Sequence, residues 1–319
     1  MIPLDEGAAA GGTHNVLETW TERAAESSRQ AKVRLDAVSK MYMSGQGKKA
    51  ANVYAVKDIS LSIFDGEFIS FVGPSGCGKS TLINLIAGFE RPDSGSILCE
   101  GGAVNSSGPD RLVIFQEQSL FPWLSVRKNI EFGLRIKGMS KEQRRERAAY
   151  FLNMVHLNKF ADSLPFQLSG GMKQRVAIAR ALAVEPKMLL MDEPFSSLDH
   201  RTRDLLHMEL QQIWLQTKKT IVFVTHSVEE ALRLSDRIVI MSSQPGRIRR
   251  IIRVSLPRPR DFFDPAIIRL RTAILEDLED ELNKLALKEG DNDWKVEEGA
   301  LRRRAHAGVD SPVGNSHTI

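Results

Sequence analysis

The stretch "EFISFVGPSGCGKSTLINLIAG", Glu67 to Gly88, decides the fold of this chain. Its apolar start over 67–73 predicts a buried strand that leads directly into a glycine-rich loop. The loop fits the pattern G-x-x-x-x-G-K-[ST], in which backbone amides and a lysine surround phosphate groups. Helix-forming residues follow the loop, and Gly88 is placed to end that helix. Strand, loop and helix together predict a phosphate-binding loop in an α/β fold.

The composition of the chain is that of a soluble globular protein. Its 319 residues are 42% hydrophobic and 26% charged, enough for one large domain with a smaller lobe. Because 44 basic residues nearly balance 40 acidic ones, we expect no nucleic-acid partner. Two cysteines predict no disulfide framework. We find no secretory signal and no apolar run of spanning length, so work at a membrane would require docking on another chain.

The glycine loop supplies the first set of candidate binding residues. They are Gly73, Pro74, Ser75, Gly76, Cys77, Gly78, Lys79, Ser80 and Thr81. The glycines let the backbone amides point at the β-phosphate, Lys79 reaches the β- and γ-oxygens, and the Ser80 hydroxyl is a ligand for Mg²⁺. Cys77 lies where the loop meets the helix, and there the helix dipole lowers a thiol pKa. This predicts that a bulky thiol reagent blocks nucleotide binding; the alternative is an inert small residue.

Two carboxylates end a second apolar strand, in "MLLMDEP". The four apolar residues at 188–191 place Asp192 and Glu193 at the carboxyl edge of the sheet, where ligands bind in open α/β folds. Asp192 would hold Mg²⁺ through water, and Glu193 would polarise the attacking water as a general base. Alone, the pair is equally consistent with a structural role. Beside the glycine loop it predicts a nucleoside triphosphatase.

A second anion-binding device lies in "LSGGMKQR", residues 168–175. A Ser-Gly-Gly run that opens a helix favours an anion, because free N–H groups and the helix dipole point toward it. The chain therefore has two phosphate-binding devices, and the second needs an explanation.

The rest of the chain predicts one α/β core with a helical insertion. Strands are predicted over 32–40, 55–63, 187–193, 220–226 and 236–242, and helices between the later ones favour a mostly parallel sheet. Residues from about 117 to 170 have the pattern of amphipathic helices and form a predicted helical subdomain.

The two ends of the chain have different patterns. Residues 1–31 are predicted to be a flexible extension, 260–289 an amphipathic helix and 290–319 a disordered tail. "LPRPRD" at 256–261 is predicted to be a stiff linker. The apolar positions of the C-terminal helix recur at helical spacing: Ile267, Leu270, Ile274, Leu278, Leu282 and Leu285.

Six motifs in order resemble those of the ATP-binding subunit of an ABC transporter. They are the glycine loop, Gln116 in "IFQEQ", "LSGGMKQR", "MDEP", "SSLD" at 196–199 and His226 in "VTH". The resemblance spans Val33 to Pro259 and implies a P-loop NTPase ABC cassette over 32–259. Its parts would be a RecA-like, mostly parallel sheet, an antiparallel β subdomain and the helical subdomain. It further implies hydrolysis of ATP with Mg²⁺, coupled to transport.

The resemblance also explains the second phosphate device. Two such cassettes pack head to tail, so Ser169, Gly170 and Gly171 would cap the γ-phosphate of ATP in the glycine loop of a second copy. Asp199 would organise the contact between the two copies. The chain would have two anion sites because each copy serves two nucleotides.

Three further roles follow from the family pattern, each with an open alternative. Tyr42 would stack on adenine, or is an ordinary loop tyrosine. Gln116 would contact Mg²⁺ or the attacking water, or is a surface glutamine. His226 would donate a hydrogen bond to the γ-phosphate, or is a core histidine.

The type of cassette follows from what the chain contains. The 90 residues from Lys79 to Ser169 include no heptads and no CxxC, unlike DNA-repair members, and only one cassette is present, unlike ribosome-associated members. A transport ATPase with separate permease subunits is favoured. "FQEQSLFPWLSVRKNI", "SSQPGRI" and "LPRPR" resemble nitrate, sulfonate and taurine importer ATPases. The alternatives are an importer ATPase for another small solute and a non-transport ABC ATPase.

An importer of this type implies a set of partners. They are a second copy of the chain, integral membrane permease subunits and, indirectly, a solute-binding protein. The chain would be peripheral on the cytoplasmic face of the bacterial plasma (inner) membrane. Phe121, Pro122 and Trp123 would help to grip a permease helix, or are plain core.

Overall fold

The structure, a computed structural model, describes residues 30–44, 51–117 and 119–289. In these ranges the strands are β1 (Ala31–Ser44), β2 (Ala51–Phe64), β3 (Phe68–Val72), β4 (Ser94–Cys99), β5 (Gly102–Ala103), β6 (Arg111–Ile114), β7 (Met188–Asp192), β8 (Thr220–Thr225), β9 (Arg237–Ser242) and β10 (Arg247–Arg253). The helices are α1 (Lys79–Ala87), α2 (Val126–Ile136), α3 (Lys141–Met154), α4 (Gly170–Ala183), α5 (His200–Thr217), α6 (Val228–Leu234) and α7 (Pro265–Glu289).

A six-stranded sheet forms the centre of the molecule, in the order β10-β9-β3-β8-β7-β6. Its strands pair in parallel from β9 to β6, and β10 alone is antiparallel to its neighbour. Every residue of β3 and β8 is buried, as expected for strands covered on both faces. The predicted α/β fold with a mostly parallel sheet is confirmed.

A smaller antiparallel sheet, ordered β2-β1-β4-β5, packs against α1. The predicted antiparallel subdomain is therefore present. Its strands β1 and β2 extend beyond the predicted ranges, and β4, β6 and β10 were not predicted. Arginines occupy four of the seven positions of β10, "RIRRIIR", so the usual alternation of a half-buried strand is missing there.

The segment between β6 and β7 is helical. Ser125 caps α2, and Ser140 forms a capping box with Gln143 at the start of α3. Buried side chains of α2, including Ile130 and Leu134, pack against α3 and α4 in one apolar cluster. This lobe positions the N-terminus of α4, which begins at Gly170.

The C-terminal helix α7 docks on α6 and β9. Ile267, Leu270 and Ile274 are buried there, as their spacing predicts. The apolar stripe ends at Leu278, which is partly buried against the same cluster, and the next position, Leu282, is 54% exposed. Ion pairs hold this half of the helix instead, because Arg249 of β10 contacts three of its carboxylates.

The segment predicted to be a stiff linker joins β10 to α7 and packs against the core. Arg260 is 7% exposed, and its guanidinium donates to the carbonyl oxygens of Leu232, Ser235 and Val254. It therefore joins the end of α6 to the end of β10. Burial, followed by the nearby Arg258 charge, lowers the pKa of Arg260 to about 10.

The predicted extension at 1–31 and tail at 290–319 lie outside the described residues, except that β1 begins at Ala31. Among the described helices, we find none with the length and apolar character needed to cross a membrane.

Replacing Arg249 with alanine is expected to loosen the second half of α7. Its guanidinium lies 3.0 Å from Asp277, 2.8 Å from Asp280 and 2.6 Å from Glu281. Loss of these partly exposed pairs should cost about 1–2 kcal/mol locally, and hydrogen exchange over residues 275–285 should rise about tenfold. Arg271→Ala, which removes a half-exposed pair with Glu229, is the control and should leave that region unchanged. Unchanged exchange in Arg249→Ala would contradict this account.

Acid should have the same effect on α7. Burial raises the pKa of Glu281, but hydrogen bonds from Lys284 and Arg249 bring it below its ordinary value. A folded pKa below the unfolded one gives stability that is present above the unfolded pKa and is lost as the pH falls through the folded one. The protection of residues 275–285, measured as exchange relative to the intrinsic rate at each pH, should therefore fall as the pH drops below about 4 in the unmodified protein.

Candidate active site

The carboxyl ends of the parallel strands bring the predicted catalytic residues to one edge of the sheet. The register pairs Val72 with Thr225, Asp192 with Val224, and Ile114 with Met191. Gly73, Glu193 and His226 directly follow their strands, and Gln116 lies two residues after the end of β6. Four segments far apart in sequence therefore meet at the edge where ligands bind in open α/β sheets.

The glycine loop is shaped for a phosphate. Gly76 and Gly78 have φ of 75° and 88°, values that side-chain-bearing residues rarely adopt. The Lys79 ammonium is buried and donates to the carbonyl oxygens of Gly73 at 2.8 Å and Pro74 at 2.9 Å. An anion in the loop would offer the ammonium stronger acceptors than these carbonyls.

The prediction that Cys77 has a lowered pKa is wrong. Its side chain is fully buried, and this burial raises the pKa of the thiol although the Lys79 charge acts in the opposite direction. The Sγ atom packs under the loop, where a Cβ on Gly73 would lie only 2.7 Å from it. The structure therefore favours the alternative, an inert small residue.

A glycine outside the loop supports it from the side. Gly246, in the turn between β9 and β10, donates to the Ala55 carbonyl at 3.1 Å and accepts from the Lys57 amide at 2.8 Å. A Cβ at this position would lie 2.2 Å from the Cys77 carbonyl oxygen and 2.6 Å from that of Ala55. The one sequence signal for this contact is the Pro-Gly pair in "SSQPGRI", which predicts a turn.

We expect Gly246→Ala to weaken nucleotide binding about tenfold, because overpacking of this tight contact must displace the glycine loop. Equilibrium titration with a fluorescent ATP analogue measures the effect. Gly102→Ala is the matched control, since a Cβ there would meet its nearest atom at an ordinary 3.6 Å. Equal affinities of the two variants would show that the contact does not shape the loop.

The residues predicted to hold Mg²⁺ fit a hard cation. Asp192 Oδ1 is buried and has no hydrogen-bond partner, and the Ser80 side chain bonds to the same carboxylate. Burial raises the pKa of Asp192, an effect that a cation beside the carboxylate would reverse. In the described ranges no group of three or more His, Cys, Asp or Glu side chains could hold a metal. A site with few protein ligands suits Mg²⁺ bound together with phosphate oxygens.

Glu193 and His226 form a hydrogen-bonded pair. Glu193 Oε2 lies 3.1 Å from His226 Nδ1, and the two side chains are 25% and 60% exposed. The Glu193 backbone has φ of 44° and donates to the Val224 carbonyl at 2.9 Å, so tertiary contacts hold it in a conformation that non-glycine residues rarely adopt. His226 is exposed at the strand end, which argues against the alternative of a core histidine.

Tyr42 lies beside the glycine loop, but on a strand. It pairs with Val53 near the end of β1, so the reading as a loop tyrosine is wrong. Its hydroxyl donates to Glu90 at 2.6 Å, and burial followed by this bond raises the pKa of Tyr42 to about 12. The ring lines an open groove of 520 Å³ that also includes Gly76 and Pro245.

Gln116 is exposed two residues after the edge strand β6. Ile114 pairs with Met191 in the sheet. Gln116 and Glu193 each lie two positions after one of these paired residues, so the register places them at the same level. The register is compatible with the predicted contact to Mg²⁺ or the attacking water.

The second phosphate device stands apart from these residues. Ser169 caps α4 and accepts from the Met172 amide at 3.3 Å. The nearest atoms to a Cβ on Gly170 or Gly171 belong to Leu198 and Thr202, which flank Asp199. Asp199 caps α5, and hydrogen bonds from Thr202 lower its pKa. The Ser169–Gly171 segment, here called the signature, and Asp199 thus form one exposed surface, separate from Glu193 and His226.

Comparison with known proteins agrees with this geometry. A family model described as ABC transporter matches residues 56–196. An uncharacterized ABC transporter ATP-binding protein of Methanocaldococcus jannaschii is 50% identical over 232 residues, 73% of this chain and 87% of that protein. The chain belongs to the ABC transporter ATP-binding family. As an ABC ATPase, it binds and hydrolyses ATP.

Other relatives have more specific names. A nitrate import ATP-binding protein of Synechocystis sp. is 49% identical over 209 residues, which are 66% of this chain and 79% of that protein. A bicarbonate transport ATP-binding protein of Synechococcus elongatus is 50% identical over 228 residues, 69% of this chain but 34% of the relative. A solved dimeric ATP-binding cassette in a post-hydrolysis state with ADP and Pi is 36% identical, with a TM-score of 0.62, and covers 70% and 100% of the two chains.

Proposed function

We propose that this ABC ATPase energises an importer for a small anion such as nitrate, a sulfonate, taurine or a similar solute. The relatives named for nitrate and bicarbonate import support this substrate class. In this proposal the chain lies at the cytoplasmic face of the bacterial plasma membrane, bound to permease subunits and served indirectly by a solute-binding protein.

The observation that carries the catalytic part of this proposal is the 3.1 Å contact between Glu193 and His226 at the phosphate-binding edge. Glu193 would accept a proton from the attacking water, and His226 would hold Glu193 in place and donate to the γ-phosphate. Ser80, Asp192 and Gln116 would hold Mg²⁺, which when bound neutralises charge on the phosphates. Lys79 and the loop amides would bind the β- and γ-oxygens, and Tyr42 would stack on adenine.

Two copies would complete two sites. The N-terminus of α4 is exposed at Ser169 and Gly170, and within one chain it faces α5 and not the glycine loop. A head-to-tail second copy would bring this N-terminus to the γ-phosphate and place Asp199 at the contact. The solved dimer of a similar cassette supports this arrangement. ATP would favour the closed pair, and hydrolysis would reopen it.

A permease segment would dock between the core and the helical lobe. An apolar cavity of 300 Å³ lies there, lined by Phe115, Phe121 and Phe132 among others. Beside the cavity, Trp123 is 73% exposed, and its ring centroid lies 5.8 Å from that of Phe121. This exposure argues against the alternative that Trp123 is an ordinary residue of the hydrophobic core. Closure of two copies would move the docked segment and switch the permease.

Deletion of the gene in the source organism tests the proposal. Growth on nitrate as nitrogen source is compared with growth on taurine or alkanesulfonates as sulfur source and at limiting bicarbonate. We expect the deletion strain to lose growth on one of these anions. The intact gene should restore that growth, and the gene carrying Glu193→Gln should not. Normal growth on all of them would overturn the anion assignment and favour an importer ATPase for another small solute.

A further inference from the structure

A polar cavity lies at the sheet edge opposite the nucleotide site. Its volume is 390 Å³, and its walls come from the β2–β3 turn, the end of α5, the start of β9 and the segment after β10. Four cationic side chains line it, against three acidic ones. The cations are Lys218, Arg237, Arg253 and Arg258.

The acidic side chains of this cavity are already engaged. Glu67 accepts from Arg237 Nε at 2.5 Å and Nη2 at 3.0 Å. Asp236 accepts from Arg258 Nη1 at 2.9 Å, and Asp65 contacts a lysine of β1 at 2.9 Å. These fixed pairs hold the arginines in place and leave few acceptors for their remaining N–H groups.

Three buried donors around the cavity have no partner: Arg237 Nη1, Arg258 Nε and the indole Nε1 of Trp214. Because these three atoms have almost no accessible surface, they lie behind the cavity wall, and the exposed Lys218 ammonium is the donor within reach of a bound molecule. The Lys218 ammonium forms no ion pair among the described residues and lies against the Trp214 ring.

Trp214 organises these cations. Its ring centroid lies 4.4 Å from the Arg258 guanidinium carbon and 4.8 Å from Lys218 Nζ, so both charges are held against one buried aromatic side chain. Phe64 and Leu256 supply apolar wall beside them. The volume is much larger than one inorganic oxyanion needs and falls within the range of small-molecule sites, roughly 300–1,000 Å³.

We propose that this cavity binds a small organic molecule through a phosphate or carboxylate group. The anionic group accepts a hydrogen bond from the Lys218 ammonium beside the positive charges of the three arginines, and the rest of the molecule lies against the apolar wall. The site is independent of ATP, because the glycine loop, Glu193 and His226 lie at the other edge of the same sheet. It is also independent of the proposed transport substrate.

Fluorescence of Trp214 tests the proposal directly. In the test protein Trp20, Trp123 and Trp294 are replaced by phenylalanine, so that Trp214 is the fluorophore. The protein also carries Glu193→Gln and is kept in saturating Mg-ATP, so that the glycine loop already holds phosphates. It is titrated at constant ionic strength with inorganic phosphate, phenyl phosphate and phenol. Lys218→Gln is the test variant because Lys218 is exposed, and Lys219→Gln, which removes a neighbouring charge that lies near Glu185, is the matched control.

We expect saturable binding of phenyl phosphate, about tenfold weaker in Lys218→Gln and unchanged in Lys219→Gln, as loss of one charge-assisted bond predicts. Equal affinity for inorganic phosphate would identify free phosphate as the source of the anionic group and still support an oxyanion site. Phenol binding as tightly as phenyl phosphate would overturn the proposal. So would the absence of saturable binding, or equal affinities of the two lysine variants.

Discussion

Glu193→Gln is expected to lower ATP turnover on the order of 10²–10⁴-fold while ATP binding persists. The glutamine keeps the size of the side chain and can still bond to His226, but it cannot accept a proton from the attacking water. Since Lys79, Ser80 and the loop amides are untouched, nucleotide affinity should remain close to that of the unmodified protein. Single-turnover hydrolysis and equilibrium binding of ATP separate the two effects.

The same variant reports on the dimer. Without hydrolysis the ATP-bound pair cannot reopen, so size-exclusion chromatography with Mg-ATP should show a dimer that is absent with Mg-ADP. Glu229→Gln is the control, because Glu229 lies three residues after His226 and pairs with Arg271 away from the site. A Glu193→Gln protein that stays monomeric with saturating Mg-ATP would contradict the two-copy arrangement.

Mixing two inactive variants should restore hydrolysis that neither shows alone. Lys79→Ala removes the phosphate-binding ammonium from the glycine loop. Gly170→Asp places a carboxylate at the N-terminus of α4, where it repels a γ-phosphate. If the signature acts on the partner's nucleotide, a mixed dimer contains one site with neither defect. If each chain were complete, both sites of every dimer would be defective and mixing would change nothing.

The mixing experiment needs a control for the charge on a helix terminus. Lys141→Asp puts the same side chain at the first position of α3, in the helical lobe. This variant should be active alone, since an acidic residue stabilises a helix N-terminus. ATPase assays of each protein alone and of equal mixtures give the comparison.

Much of the candidate site could be predicted because its signals are local. The glycine loop needs φ values above zero at Gly76 and Gly78, and a strand and helix on either side, all within about twenty residues. Asp192 and Glu193 follow a buried apolar strand, which fixes their place at the sheet edge. Their roles in ATP hydrolysis remain predictions until the variants are measured.

Two features of the chain depend on contacts that the sequence does not reveal. The position of Cys77 at a helix start predicts a lowered pKa, but the burial of its side chain beneath the loop has the larger effect. The prolines of "LPRPRD" predict a linker, but they do not predict that Arg260 donates to carbonyl groups of α6, of Ser235 at its end and of Val254 just after β10. Neither environment is visible from neighbours in sequence.

The sequence by itself determined the α/β class, the phosphate-binding loop and the order of motifs, because periodicity and turn residues act over a few positions. Only the tertiary structure decided which side chains meet. The sheet order β10-β9-β3-β8-β7-β6 brings Gly246 against the glycine loop, Glu193 against His226, and Trp214 against Arg258. Such contacts depend on how strands far apart in the chain become neighbours, and no local pattern encodes that distance.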